Sequence, residues 1–269
     1  MTFARQLPTR MVAKVWGRDA LPAPFRAPPG ERIGEIWFEP PPELPQLLVK
    51  YLFTSEKLSV QVHPSDAEAL PGEAGKEECW LVLDAAPDAR LAIGFRRAVS
   101  ADEIAAAAQD GTIEQLLEWH PARAGDLFYL PAGTVHAIGP GLALVEVQQN
   151  SDTTFRLYDY GRPRELHLDR ALAVARGEPY DLAHRRSVSD GPTLVEGPLF
   201  RFDRIEGAPD AATKAAYGEA ALLVLPLAGT VVTDSGAARV GAGECLVAGG
   251  LGCLDFSAAE VTLLVRAFS

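Results

Sequence analysis

The stretch KLSVQVHP, residues 57 to 64, alternates apolar and polar side chains. Successive side chains on a strand face opposite ways, so Leu58, Val60 and Val62 fall on one side and Ser59, Gln61 and His63 on the other. An edge strand with its polar face in water would show this pattern. The same pattern also aims an amide and an imidazole, two good metal-ligand groups, in one direction. A second stretch, GDLFYLPAGTVH at 125 to 136, sets Gly125, Pro131 and Gly133 in a tight turn between strands. His136 sits just beyond that turn, at the start of the next strand. The remaining histidines have plainer surroundings: His120 and His184 fall in expected loops, and His167 in RELHLDR caps or begins a helix. A lone histidine is more often structural than a ligand. Only His63 and His136 have neighbours that suggest more.

Strands must carry most of these residues. From LLVKYLF onward, short β-type runs recur as LSVQVHP, CWLVLD, ARLAIGF, DLFYLPAG, LALVEVQQ and TFRLYDY. Turn residues separate them, which predicts an antiparallel sandwich or barrel, all-β with minor helices. The first forty residues are too rich in proline and glycine for long helices. One helical interruption is expected to span 100 to 120, where Ser100 and Glu103 form a capping box, and another helix over 167 to 177, ending at Gly177. After DLAHRRSVSDGP the β pattern restarts. This predicts a first domain of residues 1–188, with the helical insertion at about 100–120, and a smaller β domain of 189–269. No histidine follows His184, so metal chemistry is expected in the first domain.

The chain has 269 residues, 48% hydrophobic and 23% charged, an ordinary globular composition with room for one large or two modest domains. A formal net charge of -11 argues against nucleic acid and anionic membranes as partners. Any anionic substrate must then be met by positive charge concentrated locally. Three cysteines without a CxxC exclude a disulfide scaffold and fit a reducing compartment. MTFARQLPTRMVAKVWG lacks the apolar centre of a signal peptide, and no apolar run approaches the ~20 residues of a membrane helix. A cytoplasmic protein is expected, and nothing in the pattern points to a protein partner.

The turn before His136 resembles the second motif of the cupin superfamily, in which that histidine binds a metal inside a β-barrel. The motif's terminal asparagine is Pro140 here. The first cupin motif is met in part: its histidine pair is Gln61 and His63, and its acid comes only after a longer insertion. In order, Gln61-x-His63, GKEECW at 75 to 80, PAGTVHAIG and VEVQQNSDTTFRLYDYGRPRELHLDRAL resemble type I phosphomannose isomerases, most closely the short bacterial form. The likeness runs from about Trp16-Gly17 through Arg170. The C-terminal domain is similar only as a β pattern that fits the family's second, metal-free cupin lobe.

The resemblance implies a cupin-type jelly-roll barrel beside a smaller cupin-like β domain, and a zinc-dependent interconversion of mannose 6-phosphate and fructose 6-phosphate. It assigns one zinc per chain to Gln61, His63, Glu78 and His136. Two neutral imidazoles, one carboxylate and one carbonyl oxygen would leave such a site net positive, with a position open for substrate. If GKEECW is extended, Lys76 and Glu78 share a face while Glu77 points away, which favours Glu78 as the ligand. The resemblance further implies Lys50 and Ser59 as substrate-binding residues, and Lys76, Arg156, Glu146 and Asp152 as catalytic ones. Lys50, Lys76 and Arg156 would supply the local positive charge that the acidic chain requires. The proton carrier stays open among Lys76, Glu146 and Asp152. Some members have a histidine before the Lys76 position, where this chain has Gly75. Trp16, Trp37 and Trp80 are expected to pack the core or the barrel mouth. Two competing readings are a non-catalytic cupin that senses a sugar phosphate, and an iron cupin dioxygenase, which the glutamine and the cations disfavour.

Overall fold

The computed structural model describes residues 3–268. Strands dominate and form three antiparallel sheets. The first has seven strands, in the spatial order Arg185–Ser187, Asp126–Leu130, Glu78–Ala85, Leu142–Gln149, Leu47–Phe53, Ile33–Phe38 and Thr9–Arg18. The second has five, in the order Phe155–Tyr158, Val60–Val62, His136–Ile138, Arg90–Phe95 and Leu117–Pro121. Residues 193–267 supply the third, to which Ala4–Gln6 adds itself beside Leu246–Gly249. Because that first strand crosses over, the lobes are not divided by chain order alone.

The central strands of the seven-stranded sheet are buried on both faces, while its edge strand Thr9–Arg18 is largely exposed. Val49, Tyr51, Phe53, Val145, Val147, Cys79 and Leu81 share one apolar cluster with Phe200, Phe202, Leu223, Val247 and Leu263 of the C-terminal sheet. Alternation turns the intervening Lys50, Glu146, Glu78 and Trp80 the other way, toward the five-stranded sheet. Trp16, Leu52, Leu58, Trp80, Ile93, Phe128, Ile138 and Leu144 fill part of the space between these two sheets. Polar residues line the rest. On the outer face of the five-stranded sheet, Val60, Val62, Ala137 and Phe155 are covered by Ile104, Ala107, Ala108 and Ala171 of two helices.

The local expectations meet the structure unevenly. The helix Ala101–Asp110 begins at the expected capping box, with Ser100 accepting from the Glu103 amide and the Glu103 carboxylate accepting from the Ser100 amide. It stops earlier than its apolar pattern suggests, because Gly111 adopts the left-handed conformation at φ 81°. One further turn, Ile113–Leu116, leads into the strand Leu117–Pro121, which pairs with Arg90–Phe95. His120 is therefore on a strand rather than in a loop, and its Nε2 lies 3.3 Å from the Ile93 carbonyl. The second helix, Leu168–Val174, ends before Gly177. That glycine serves a close approach instead: a Cβ there would lie 2.0 Å from the Val99 carbonyl oxygen. In KLSVQVHP, regular pairing is confined to Val60–Val62, and Leu58 precedes the strand and faces the barrel interior. Two early strands, Thr9–Arg18 and Ile33–Phe38, bracket the proline-rich loop and extend the sheet beyond LLVKYLF. Among the described residues, no helix is long and apolar enough to cross a membrane.

Candidate metal centre

Register brings distant residues into rows. Gln61 lies opposite His136 on one neighbouring strand and opposite Arg156 on the other. Residues directly opposite share a face, so these three line one wall of the barrel. On the facing wall, Lys50 lies opposite Trp37 and Glu146, and Glu146 opposite Trp80. His63 and Glu78 follow by period two, His63 two residues after Gln61 and Glu78 two before Trp80.

The two walls meet at His63, Glu78 and His136, all buried, whose ligand atoms lie within 4.8 Å of one another. Glu78 Oε2 is 3.6 Å from His63 Nε2, and Glu78 Oε1 is 3.5 Å from His136 Nε2. His63 Nδ1 lies 2.8 Å from the Thr153 carbonyl and His136 Nδ1 2.9 Å from the Thr134 carbonyl. A carbonyl only accepts, so each Nδ1 donates its proton there and each Nε2 presents a lone pair to the cluster. Burial, followed by the nearby Lys76 charge, pushes His63 well below its ordinary range, and burial likewise lowers His136. Both rings stay neutral. Burial alone would raise Glu78, but the Lys76 ammonium, which also donates to it, outweighs that cost and holds the group below the usual carboxylate range. Gln61 completes the cluster with Nε2 3.2 Å from His136 Nε2, while its Oε1 accepts from Ser59 Oγ at 3.0 Å. Half a turn of that amide exchanges its nitrogen and oxygen. Two imidazole nitrogens, a carboxylate and an amide fit a divalent ion of borderline softness such as zinc.

Lys76 stands beside this donor set. Its amide donates to the Pro64 carbonyl at 2.9 Å, so the insertion after His63 folds back and returns Lys76 to His63. Its ammonium lies 3.0 Å from His63 Nε2, 2.5 Å from Glu78 Oε2 and 3.8 Å from Glu146 Oε1. Lys50 Nζ is 3.2 Å from the same Glu146 oxygen. The sequence Lys50, Glu146, Lys76, Glu78 thus alternates in sign, which offsets the cost of burying four charges. Burial works against the Lys76 charge, but Glu78 and Glu146 prevail and raise its pKa. Gly75 cannot be replaced by a larger residue without moving the loop, since a Cβ there would lie 2.4 Å from the Asp66 amide nitrogen.

A cavity of 260 Å³ opens over these groups. Lys50, Ser59, Gln61, Lys76, Glu78 and Glu146 line it, with half-buried Arg156 and exposed Asp152 nearer the solvent. His63 and His136 are buried and do not line it. Trp16, Trp37 and Trp80 all reach the cavity, and the Lys50 ammonium sits 4.6 Å from the centre of the Trp37 ring. The structure also brings in Lys14 and Glu35, which no motif marks, and Arg164, which lies within the quoted stretch after Glu146 but was given no role. Glu35 accepts from Trp37 Nε1 at 3.0 Å and pairs with Lys14 at 3.1 Å. Alternation in GEIWF puts Glu35 and Trp37 on one face, but only the pairing of Trp37 with Lys50 shows that this face is the cavity's.

No protein-family model matches the chain. Mannose-6-phosphate isomerase ManA of Bacillus subtilis is 45% identical over 137 residues, 48% of this chain and 43% of that protein. The chain spans about half the length of the curated relatives it matches. The crystal structure of the mannose 6-phosphate isomerase from Bacillus subtilis superposes with a TM-score of 0.79 at 25% identity, covering 97% of this chain and 98% of that one. A zinc-bound mannose 6-phosphate isomerase superposes with a TM-score of 0.69 at 15% identity, covering 99% of this chain and 100% of that one. The chain therefore has the cupin fold of the phosphomannose isomerases along nearly its whole length, and resembles mannose-6-phosphate isomerases in sequence over about half of it.

Proposed function

We propose that the chain is a zinc-dependent aldose–ketose isomerase that interconverts mannose 6-phosphate and fructose 6-phosphate. The observation that carries this reading is the buried cluster of His63, Glu78 and His136, whose Glu78 lines one cavity together with buried Lys76 and Glu146 and with Arg156. Gln61, His63, Glu78 and His136 would hold the metal. When bound, the ion supplies Lewis-acid charge to the substrate's carbonyl and hydroxyl oxygens.

The chain's own groups supply the rest. Moving the carbonyl between C1 and C2 transfers a proton between those carbons and passes through an enediolate, whose negative charge needs preorganised donors. Lys76, kept charged by Glu78 and Glu146, donates hydrogen bonds to that charge. A protonated lysine is not a base, so the carbon-bound proton moves through a carboxylate. Glu146 sits beside Lys76 in the cavity, whereas Asp152 is exposed at its edge. We assign the proton to Glu146 and leave Asp152 to orient the sugar. Ser59 holds the Gln61 amide and faces the same space.

Metal-loaded protein given fructose 6-phosphate should yield mannose 6-phosphate, and unphosphorylated fructose should yield almost nothing. Tight binding of the sugar phosphate without any turnover would overturn the isomerase reading in favour of a sensor.

A further inference from the structure

Lys76 places its ammonium beside the metal cluster, yet no regular strand holds it. The strand that supplies Glu78 begins at Glu78 itself, and residues 66–74, before Lys76, are exposed in all but Ala69. A flexible four-carbon stem on an unsupported backbone would not keep its nitrogen between His63, Glu78 and Glu146. The backbone on either side is instead fastened atom by atom. Ser151 Oγ donates to the Ala74 carbonyl at 2.9 Å. The Gly75 amide donates to Asp66 Oδ1 at 2.8 Å, a close approach that the missing Cβ of Gly75 permits. The Glu77 amide donates to Gln149 Oε1 at 2.9 Å, and the Glu77 carbonyl accepts from the Gln149 amide at 3.0 Å. Gln149 Nε2 closes the ring by donating to both Asp66 oxygens, at 3.0 and 3.1 Å. Gln149 is buried and ends the strand Leu142–Gln149, which also carries Glu146. The backbone around Lys76 is thus referenced to the strand of the carboxylate that its ammonium faces at 3.8 Å. Neither Asp66 nor Gln149 lines the cavity, so neither meets a substrate directly.

We propose that Asp66 and Gln149 are positioning residues for Lys76. Their side-chain pair fixes the backbone on both sides of it, and so sets where its ammonium stands against Glu146 and the metal ligands. The effect on turnover rests on the isomerase reading; the clamp does not.

Exchanging the two functional groups tests this. In Asp66→Asn an NH2 group faces the Gln149 NH2, and in Gln149→Glu a carboxylate faces the Asp66 carboxylate, so each single variant breaks the pair. In the double variant an amide meets a carboxylate again with the roles reversed, and the Gly75 and Glu77 amides each have an acceptor. Hydrogen exchange resolved to single amides should be slow at Gly75 and Glu77 in wild type, faster by about tenfold at one or both in each single variant, and slow again in the double. In metal-loaded protein each single variant should lose about 10- to 100-fold in kcat for mannose 6-phosphate, as for a misplaced catalytic group, with KM within about threefold of wild type. Zinc content and the unfolding midpoint should stay near wild type, and the double variant should recover most of kcat. A role in stability alone would lower the midpoint and leave kcat unchanged. Single variants with wild-type kcat, a loss of kcat that only parallels a loss of zinc, or a double variant no better than the singles would each overturn the proposal. Should one single variant fail to fold, the other carries the same test. A wild type that turns nothing over would refute the reaction, while exchange that the single variants quicken and the double slows would leave the clamp standing.

Discussion

Across the C-terminal sheet, Leu246, Val224 and Leu264 lie opposite one another on neighbouring strands, all fully buried. Across the seven-stranded sheet, the row Lys50, Glu146 and Trp80 is buried almost as completely. The antiparallel pairing and the alternation are the same, and the residue types are opposite. Each buried aliphatic side chain in the first row stabilises the fold by about 1.5–3 kcal/mol. Each charge in the second loses its hydration and is held only by its neighbours. The first lobe thus tolerates a costly interior that packing alone does not require. The second lobe backs it: Tyr51, Val145 and Val147, on the reverse of the strands that carry Lys50 and Glu146, pack with Phe200, Phe202 and Leu263. One lobe carries the candidate metal cluster, and the other packs against the back of the sheet that presents it.

The contrast is broken most directly by exchanging insults between the lobes. His136→Ala should remove the metal and reduce activity by more than about a hundredfold, beyond the loss typical of an outer-sphere partner. Leu264→Ala should leave metal content and kcat intact while lowering the unfolding free energy by about 2–5 kcal/mol. Elemental analysis showing normal metal in the His136 variant would contradict the assignment. Lys76→Met should keep its metal and lose roughly a hundredfold in kcat, as for a lost charge-stabilising or acid–base group; steady-state kinetics at a wild-type kcat would remove Lys76 from the chemistry.

Smaller effects sharpen the same comparison. Lys50→Met should destabilise the first lobe by about 3 kcal/mol, because Glu146 loses its nearest buried partner. Adding Glu146→Gln should restore part of that loss, and denaturant titration of the cycle should give a coupling of roughly 1–3 kcal/mol. Strict additivity would mean that the Lys50–Glu146 contact contributes little. His120→Ala and His184→Ala should change metal content not at all and stability by no more than about 1 kcal/mol.

Much of the candidate site could be read from the sequence, for reasons that particular residues make plain. Gln61 and His63 are two apart in sequence, so period two pairs them; Lys76 and Glu78 share that spacing, but the strand begins only at Glu78, and Lys76 is placed by its amide bond to the Pro64 carbonyl. The Gly125, Pro131 and Gly133 turn marks His136 through its resemblance to the second cupin motif. Lys14 and Glu35 were not legible because they reach the cavity through cross-strand register, which local spacing does not encode; Arg164 lies in a quoted stretch, but its loop, held by Asp159, has no periodicity to show that it faces the cavity. The helix expected over 100 to 120 failed at Gly111, where the left-handed cap prevailed over an apolar pattern that continued into a strand. Likewise Leu58 obeys the alternation of KLSVQVHP in sequence but precedes the paired segment, so its face was set by packing with the barrel interior. The strand Ala4–Gln6 gave no sign that its partner, Leu246–Gly249, lay at the far end of the chain.

The most direct test is metal analysis joined to an assay with mannose 6-phosphate on one preparation taken through three states: as purified, stripped by a strong chelator, and reloaded with zinc. The account predicts close to one zinc per chain in the active states, fructose 6-phosphate formation that disappears on stripping, and recovery in proportion to zinc restored. Full isomerase activity in rigorously metal-free protein would contradict it.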